Sequence, residues 1–282
     1  MGKLSEEIRQ WIYTNPGFKF TARFLYGEFD LQGIEKDACR GLLTEMHKRG
    51  ELEKSRGFYR FADKTADKLD WQSADMSNVV NLKWPFELEK YIIIYPKNII
   101  VVAGAPDSGK TAFCFNVIRL NMSTFTINYY NSEMGAAEML SRISNFNGIE
   151  PDEWHFNAYE RSVDFADIIK PNDINIIDYL EIVNNFYEIA GDILAIHNNL
   201  RGGIAIICIQ KNPKVDLGRG GSFGLEKPRL YLSMDNNQLK IVKGKNWKDH
   251  SVNPNKMTWT FQLVGGARFV NPIGPTYEQK GE

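Results

Sequence analysis

The sequence predicts an α/β protein: a core built on a mainly parallel central sheet, preceded by a small α+β module. Three observations carry this reading. A continuous apolar run, IIVVAG at 99–104, leads into GAPDSGKT and then into a helix-spaced segment, TAFCFNVIRLNM. Two further apolar runs, INIID at 174–178 and IAIICIQ at 204–210, end in polar groups. Runs of this kind are strands buried on both faces. Residues 4–61 read instead as three helices followed by two short β-like runs.

Size and composition permit this architecture. The chain has 282 residues, enough for one substantial α/β domain and a small module. Hydrophobic residues make up 43% and charged residues 24%, as in ordinary globular proteins. The net charge is −1, so any nucleic-acid contact must come from local patches or an assembled channel. Cys39, Cys114 and Cys208 are far apart, and the last two sit in apolar runs. All three are expected to be reduced thiols in a cytoplasmic protein. The opening MGKLSEEIRQW lacks the apolar run of a signal peptide, and Glu6 stands where a myristoylation signal needs Ser or Thr. With no stretch of about 18 apolar residues, no membrane span is expected.

In the first module, Leu4, Ile8, Trp11 and Ile12 have helical spacing, with Ser5 as candidate N-cap and Asn15-Pro16-Gly17 as the stop. FTARFLYGEF is a second, short helix. A third, from about Glu35 to Arg49, puts Ala38, Leu42, Leu43 and Met46 on one face, and Gly50 ends it. ELEKSRGFYRFA then supplies two β-like runs around Ser55-Arg56-Gly57. Three helices and a hairpin in this order resemble a winged helix, assigned to residues 1–62. A DNA-binding role would use Lys36, Arg40 and Lys48 on the third helix, with Lys54, Arg56 and Arg60 on the wing. The alternative is a solvated face on a protein-interaction module. Thirteen Lys+Arg against twelve Asp+Glu over residues 1–70 leave that choice open. Residues 63–84 are polar and weakly periodic and read as a connector to a domain spanning 85–282.

In that domain, Gly104-Ala105-Pro106-Asp107-Ser108-Gly109-Lys110-Thr111 fits the phosphate-loop pattern G-x-x-x-x-G-K-[ST]. Strand, glycine loop and helix in succession give the motif its structural context. The loop and helix N-terminus aim backbone N–H groups at a triphosphate, which the helix dipole also favours. Lys110 reaches the outer phosphates and the Thr111 hydroxyl ligates Mg²⁺. Pro106 has no N–H to donate, and Asp107 is expected to point away from ATP. The second metal partner is Asp178, since an acid ending a buried strand is costly to leave unpaired. FTINYYNSEM at 125–134 reads as a strand next to the phosphate-loop strand, with Glu133 at its tip. Glu133 is either the group that polarises the attacking water or an acid favoured in the first turn of the next helix. Gln210 is either a phosphate sensor or a hydrogen-bonded strand-end amide.

The strand–NSEM–helix unit, INIIDYLEIV and IAIICIQKNP, in this order after the phosphate loop, resemble the RecA-type ATPases. The likeness is nearest to the ATPase domain of replicative hexameric helicases of the DnaB kind and to RepA-like helicases. Those families show an S-x-E-M strand end, an IDYLQ-like acid strand and an ALSQ-like sensor strand. Over about residues 85–265, the resemblance implies Glu133 as catalytic glutamate, Asp178 as metal acid and Gln210 as sensor of the outer phosphate. It implies that the Gly-rich segment PKVDLGRGGSFGLEKP, with Lys214, Arg219, Phe223 and Lys227, faces a channel for single-stranded DNA. A surface loop without that role is the alternative. It also implies cations that reach the nucleotide of the neighbouring subunit. DnaB-like helicases use K-x-R there, where this chain has Lys243-Gly244-Lys245. Lysine lacks the planar guanidinium fork.

The expected cofactors are ATP and Mg²⁺, and the expected partners are single-stranded DNA and further copies of the chain, in a ring of six. The resemblance implies a helicase-like motor with ATP sites between subunits. A RecA-like recombination or annealing filament uses the same motifs. A nucleotide-gated loader or regulator, using the winged helix to bind DNA or a protein, is the third reading. His47, His155, His197 and His250 are scattered and support no nucleophile-based chemistry.

Overall fold

The fold is given by a computed structural model, which describes residues 2–15, 17–62, 68–180 and 188–277. Pro16 of the expected helix stop, part of the connector and the end of the INIIDYLEIV motif lie outside the described residues. The chain divides into two compact units, Met1–Ala74 and Asp75–Glu282. The division falls ahead of the expected domain start at residue 85. The reason is physical: Leu82 and Trp84 are buried in the core of the second unit, and Asn121 bonds both backbone groups of Lys83.

The first unit contains α1 (Gly2–Thr14), α2 (Ala22–Glu28), α3 (Ile34–Lys48), β1 (Leu52–Ser55) and β2 (Phe58–Phe61). Helix α1 begins before Ser5, so Ser5 is not its N-cap. The Thr21 hydroxyl caps α2 by accepting the Phe24 N–H at 3.1 Å. On α3, Cys39 rather than Ala38 joins Leu42, Leu43 and Met46 in the core. Gly50 leaves α3 at φ +71°, a left-handed C-terminal residue. β1 and β2 pair antiparallel around Arg56 and Gly57, both at positive φ, as a tight hairpin turn requires. Phe20 adds a bridge to Tyr59.

The second unit is a nine-stranded sheet in the order β11-β10-β9-β8-β3-β7-β6-β4-β5. Its parallel part comprises β3 (Ile99–Gly104), β4 (Ile127–Asn131), β5 (Asn157–Glu160), β6 (Ile174–Asp178), β7 (Ile204–Gln210) and β8 (Leu230–Asp235). β9 (Gln238–Gly244), β10 (Met257–Val264) and β11 (Arg268–Tyr277) extend it antiparallel. Side chains alternate between two cores. Ile100 and Val102 of β3 pack on the face covered by α4 (Lys110–Asn121), whose Phe113, Phe115, Val117 and Ile118 are buried. Ile99, Val101 and Ala103 pack on the face covered by α6 (Glu188–Asn199). One expectation is corrected. The strand leading to Glu133, β4, is not beside the phosphate-loop strand β3, because β7 and β6 lie between them.

Candidate active site

Three parallel strands end at one edge of the sheet, and their ends build the site. β3 runs into the phosphate loop, β6 ends in Asp178 and β7 ends in Gln210, which pairs with Gly104. A cavity of about 470 Å³ opens there, lined by Lys110, Thr111, Glu133, Arg142, Asp178 and Gln210 among others. Five residues separately expected from the sequence to serve one reaction thus share one wall. A larger cavity of about 600 Å³ lies under the 76–84 segment, but no comparable set of convergent polar groups lines it.

The phosphate loop is shaped by two glycines. At Gly104 a Cβ would collide with the Lys110 and Ser108 side chains. Gly109, at φ +92°, is the left-handed residue that turns the chain into α4. Lys110 stands at the first position of α4, and its Nζ donates to Gly104 O at 3.2 Å and Ala105 O at 3.1 Å. Those carbonyls occupy an ammonium that phosphate oxygens would otherwise use. Ser108 Oγ is buried without a hydrogen-bond partner. A glycine cradle, a helix N-terminus, a lysine and a threonine hydroxyl opposite an acid fit a Mg²⁺–triphosphate. Thr111 and Asp178 both line the cavity and would be the side chains to hold the metal. Pro106 and Asp107 also line the cavity.

Asp178 is buried, and Tyr129 on the neighbouring strand donates its hydroxyl to Asp178 Oδ2 at 2.8 Å. Burial, and then the adjacent carboxylate, push the Tyr129 phenol well above its usual range, so it remains a donor. Beneath the acid, the sulfurs of Cys114 and Cys208 are 3.3 Å apart, and with Asp178 they form a buried group whose ligating atoms lie within 4.8 Å. The contact with Cys208 and burial raise the Cys114 thiol well above its normal value. These thiols act as a protonated floor under the acid. Tyr129→Phe is expected to raise the Mg²⁺ concentration for half-maximal nucleotide turnover about tenfold. Titrating turnover with Mg²⁺ checks this.

Glu133 lies before α5 (Ala136–Ile143), whose N-cap is Gly135, so it is outside the first helical turn. The buried Asn131 side chain braces its turn: Oδ1 accepts from Glu133 N at 3.0 Å and from Met134 N, and Nδ2 donates to Met134 O at 2.7 Å. Arg142 of α5 was not anticipated. Its charge near a helix C-terminus is ordinary in sequence, yet it lines the cavity while paired with Glu138 at 2.9 Å. Leu263 and Gly266, at the turn between β10 and β11, were also missed.

Other expected residues lie elsewhere. Lys243 and Lys245 sit at the opposite end of the sheet from the phosphate loop, with Lys243 beside Tyr231 and Lys245 bonded through its N–H to Arg229 O. Lys243 has a role in its own chain, because its ammonium donates to the carbonyls of Leu225 and Glu226. The Gly-rich segment is not a loose loop. Gly218 N donates to the Tyr231 hydroxyl at 2.9 Å, Arg219 N bonds Gln210 O, and Asp216 pairs with Lys240 at 2.9 Å. Lys214, Arg219 and Phe223 are exposed. Lys214 lies by Asp235 at the phosphate-loop end of β8, whereas Lys227 precedes the start of that strand, so the four do not form one cluster.

No protein family's model matches the chain, and no curated protein matches it. Among solved structures, the chain is similar to a RadB recombinase, at 14% identity and TM-score 0.45, over 61% of this chain and 90% of that one. It is also similar to a DnaB-like replicative helicase, described with its interactions with primase, at 16% identity and TM-score 0.49. That match covers 71% of this chain and 65% of the helicase, just under two thirds of its length. The likeness is one of fold. In the sheet itself, β7 lies between the phosphate-loop strand and the strand ending in Asp178.

Proposed function

We propose that the chain is an ATP-hydrolysing motor on single-stranded nucleic acid whose nucleotide sites are completed by a second copy. The observation that carries the reading is the convergence of Lys110, Thr111, Glu133, Asp178 and Gln210 on one cavity. Lys110 exchanges its two backbone carbonyls for phosphate oxygens when ATP enters. Thr111 and Asp178 would hold Mg²⁺, which would supply positive charge to the phosphates. Glu133 orients the attacking water and accepts its proton. Gln210 stands where β7 gives way to the segment bearing Lys214, Arg219 and Phe223. Arg219 N is bonded to the Gln210 carbonyl, so a movement of Gln210 on phosphate release carries that segment with it.

Purified protein is expected to hydrolyse ATP only with Mg²⁺, faster with a single-stranded oligonucleotide, and to gain mass in solution when both are present. A rate indifferent to the oligonucleotide, from a monomer at saturating ATP, overturns the motor reading. Electron microscopy with a slowly hydrolysed ATP analogue separates a closed ring from a recombinase-like filament.

The first unit, read as a winged helix, favours a protein partner over DNA. Of the cations expected to face DNA, Arg40 bonds the Tyr26 hydroxyl and Asp37, and Arg60 pairs with Glu53. Tyr13, Phe18 and Phe24 instead expose aromatic surface. Deleting residues 1–62 is expected to leave nucleic-acid-stimulated turnover intact. A loss of that stimulation points to DNA contact by this unit.

A further inference from the structure

Behind the wall of the cavity lies a second set of ligand atoms, and it is soft rather than hard. Cys114 is on α4, three residues after Thr111, so it sits one helical turn behind that hydroxyl on the same side. Cys208 is on β7, two residues before Gln210, and so shares its face of the sheet. That face is the one covered by α4. Both thiols are 0% exposed, and their sulfurs are 3.3 Å apart. Asp178 completes the set: among the described residues, Cys114, Asp178 and Cys208 bring one ligand atom each to within 4.8 Å of one another. Tyr129 steadies the carboxylate through Oδ2. Leu180 N, just past the acid, donates to Cys208 O at 2.9 Å, which ties the two strand ends together. A buried cysteine by itself is a small hydrophobe. Two in contact, with a carboxylate that also lines the cavity, make a ligand set with a way in.

We propose that Cys114, Cys208 and Asp178 form a binding site for a thiophilic divalent cation, of which Zn²⁺ is the type, and that this ion takes Asp178 away from Mg²⁺. The ion enters from the cavity past Asp178, the least buried of the three. Both S–H bonds break and the two protons pass to water. Two metal–sulfur bonds and one metal–oxygen bond form, and no electrons are transferred. Zinc–sulfur bonds of about 2.3 Å set tetrahedral sulfurs about 3.8 Å apart, so the pair opens by about 0.5 Å. Mg²⁺ cannot use the thiols, since it requires oxygen ligands in an octahedron. The two ions therefore compete for one carboxylate, and Zn²⁺ inhibits turnover. Binding stands on these three residues alone. Inhibition rests on the reading above, in which Asp178 serves Mg²⁺.

The probe is Cd²⁺, which replaces Zn²⁺ at thiolate sites and absorbs in the ultraviolet when bound to sulfur. The full chain, reduced and then freed of reductant, is titrated with Cd²⁺ in the absence of nucleotide. A sulfur–metal band saturating at about one ion per chain is expected. Cys114→Ala and Cys208→Ala are each expected to weaken binding by about 10²-fold or more, and Cys39→Ala to leave it unchanged. Where alanine prevents folding, valine takes its place. Asp178→Asn is expected to keep the band but weaken binding about tenfold. Zn²⁺ is expected to halve Mg²⁺-dependent ATP turnover at a concentration that rises with Mg²⁺. That concentration is expected to be about tenfold higher or more in Cys208→Ala, each rate being taken relative to the variant's own rate without Zn²⁺. A band that survives both cysteine variants, or no band at all, overturns the proposal. A chelator is expected to restore all three free thiols; if only Cys39 remains free, the pair has been oxidised and the metal site is wrong. If Asp178→Asn binds Cd²⁺ as the parent does, or turnover is indifferent to a saturating ion, the claim on Asp178 is overturned. If the band behaves as expected but the protein without Cd²⁺ or Zn²⁺ turns over no ATP, the metal site stands and the function proposed above falls.

Discussion

Replacing Lys110 with alanine is expected to cut ATP turnover about 10²- to 10³-fold in a chain that stays folded. The two halves of that expectation have separate causes. Lys110 stands at the first position of α4, and its ammonium is the cation that the loop places at the cavity, between the glycine turn and the helix N-terminus. In the proposed reaction it is paired with the transferred phosphate, where charge changes most, so its loss falls on turnover more than on binding. The backbone N–H groups at the start of α4 remain, and nucleotide binding weakens without vanishing. The structural cost is small. The bonds lost in the free protein are two long ones to Gly104 O and Ala105 O, each worth about 1.5 kcal/mol, the low end for a charged donor, and water can take up the freed carbonyls. Phosphate release and a thermal melt, measured on the same preparation, check both halves. Turnover within tenfold of the parent means that another cation, such as Arg142 in the cavity lining, does this work.

The parts of this site visible in sequence were those whose physics is local. The strands β3, β6 and β7 are buried on both faces, and therefore read as apolar runs; Gly104 at the end of the first, and the polar Asp178 and Gln210 at the ends of the others, mark the edge of the sheet. The phosphate loop announces itself because its glycines are required by the turn itself. Strand order is not local. Nothing in FTINYYNSEM says that two strands separate it from the phosphate loop, and Glu133 was placed on the wrong neighbour although it reaches the expected cavity. β11 escaped because Pro272 and Pro275 interrupt it and its face is largely exposed, so it has neither the apolar run nor clean alternation. Arg142 and the Tyr129–Asp178 bond depend on elements meeting across the sheet. The in-chain role of Lys243 depends on the fold of the preceding Gly-rich segment, whose composition reads as a loop but whose bonds to Gln210, Tyr231 and Lys240 fix it.

The same blindness to distant pairing hid the position with the largest expected effect on stability. Lys211 follows Gln210, and in sequence it reads as one more cation at the start of a basic loop. Its side chain is in fact 0% exposed, bonded to Asp235 Oδ1 at 2.7 Å and to Val215 O at 2.9 Å. Asp235 ends β8, so the pair joins the end of β7 to a strand on the far side of the phosphate-loop strand. Asp235→Ala leaves a buried ammonium with one carbonyl as its partner. The expected cost is about 3–5 kcal/mol, or about 6–20 °C in the melting of the second unit. The direction of a double change separates charge from packing. Buried pairs exchanged for apolar residues of similar volume are often neutral, so Lys211→Met combined with Asp235→Leu is expected to recover most of the loss. Urea unfolding followed by a probe confined to the second unit measures both variants. A loss below about 1 kcal/mol for Asp235→Ala means that water reaches Lys211 as readily as it reaches a surface ion pair. If instead the double variant is stable yet its ATP turnover no longer responds to single-stranded nucleic acid, the pair is there to hold the position of Gln210, and the cost of burying a charge beside that amide is the condition for coupling it to the following segment.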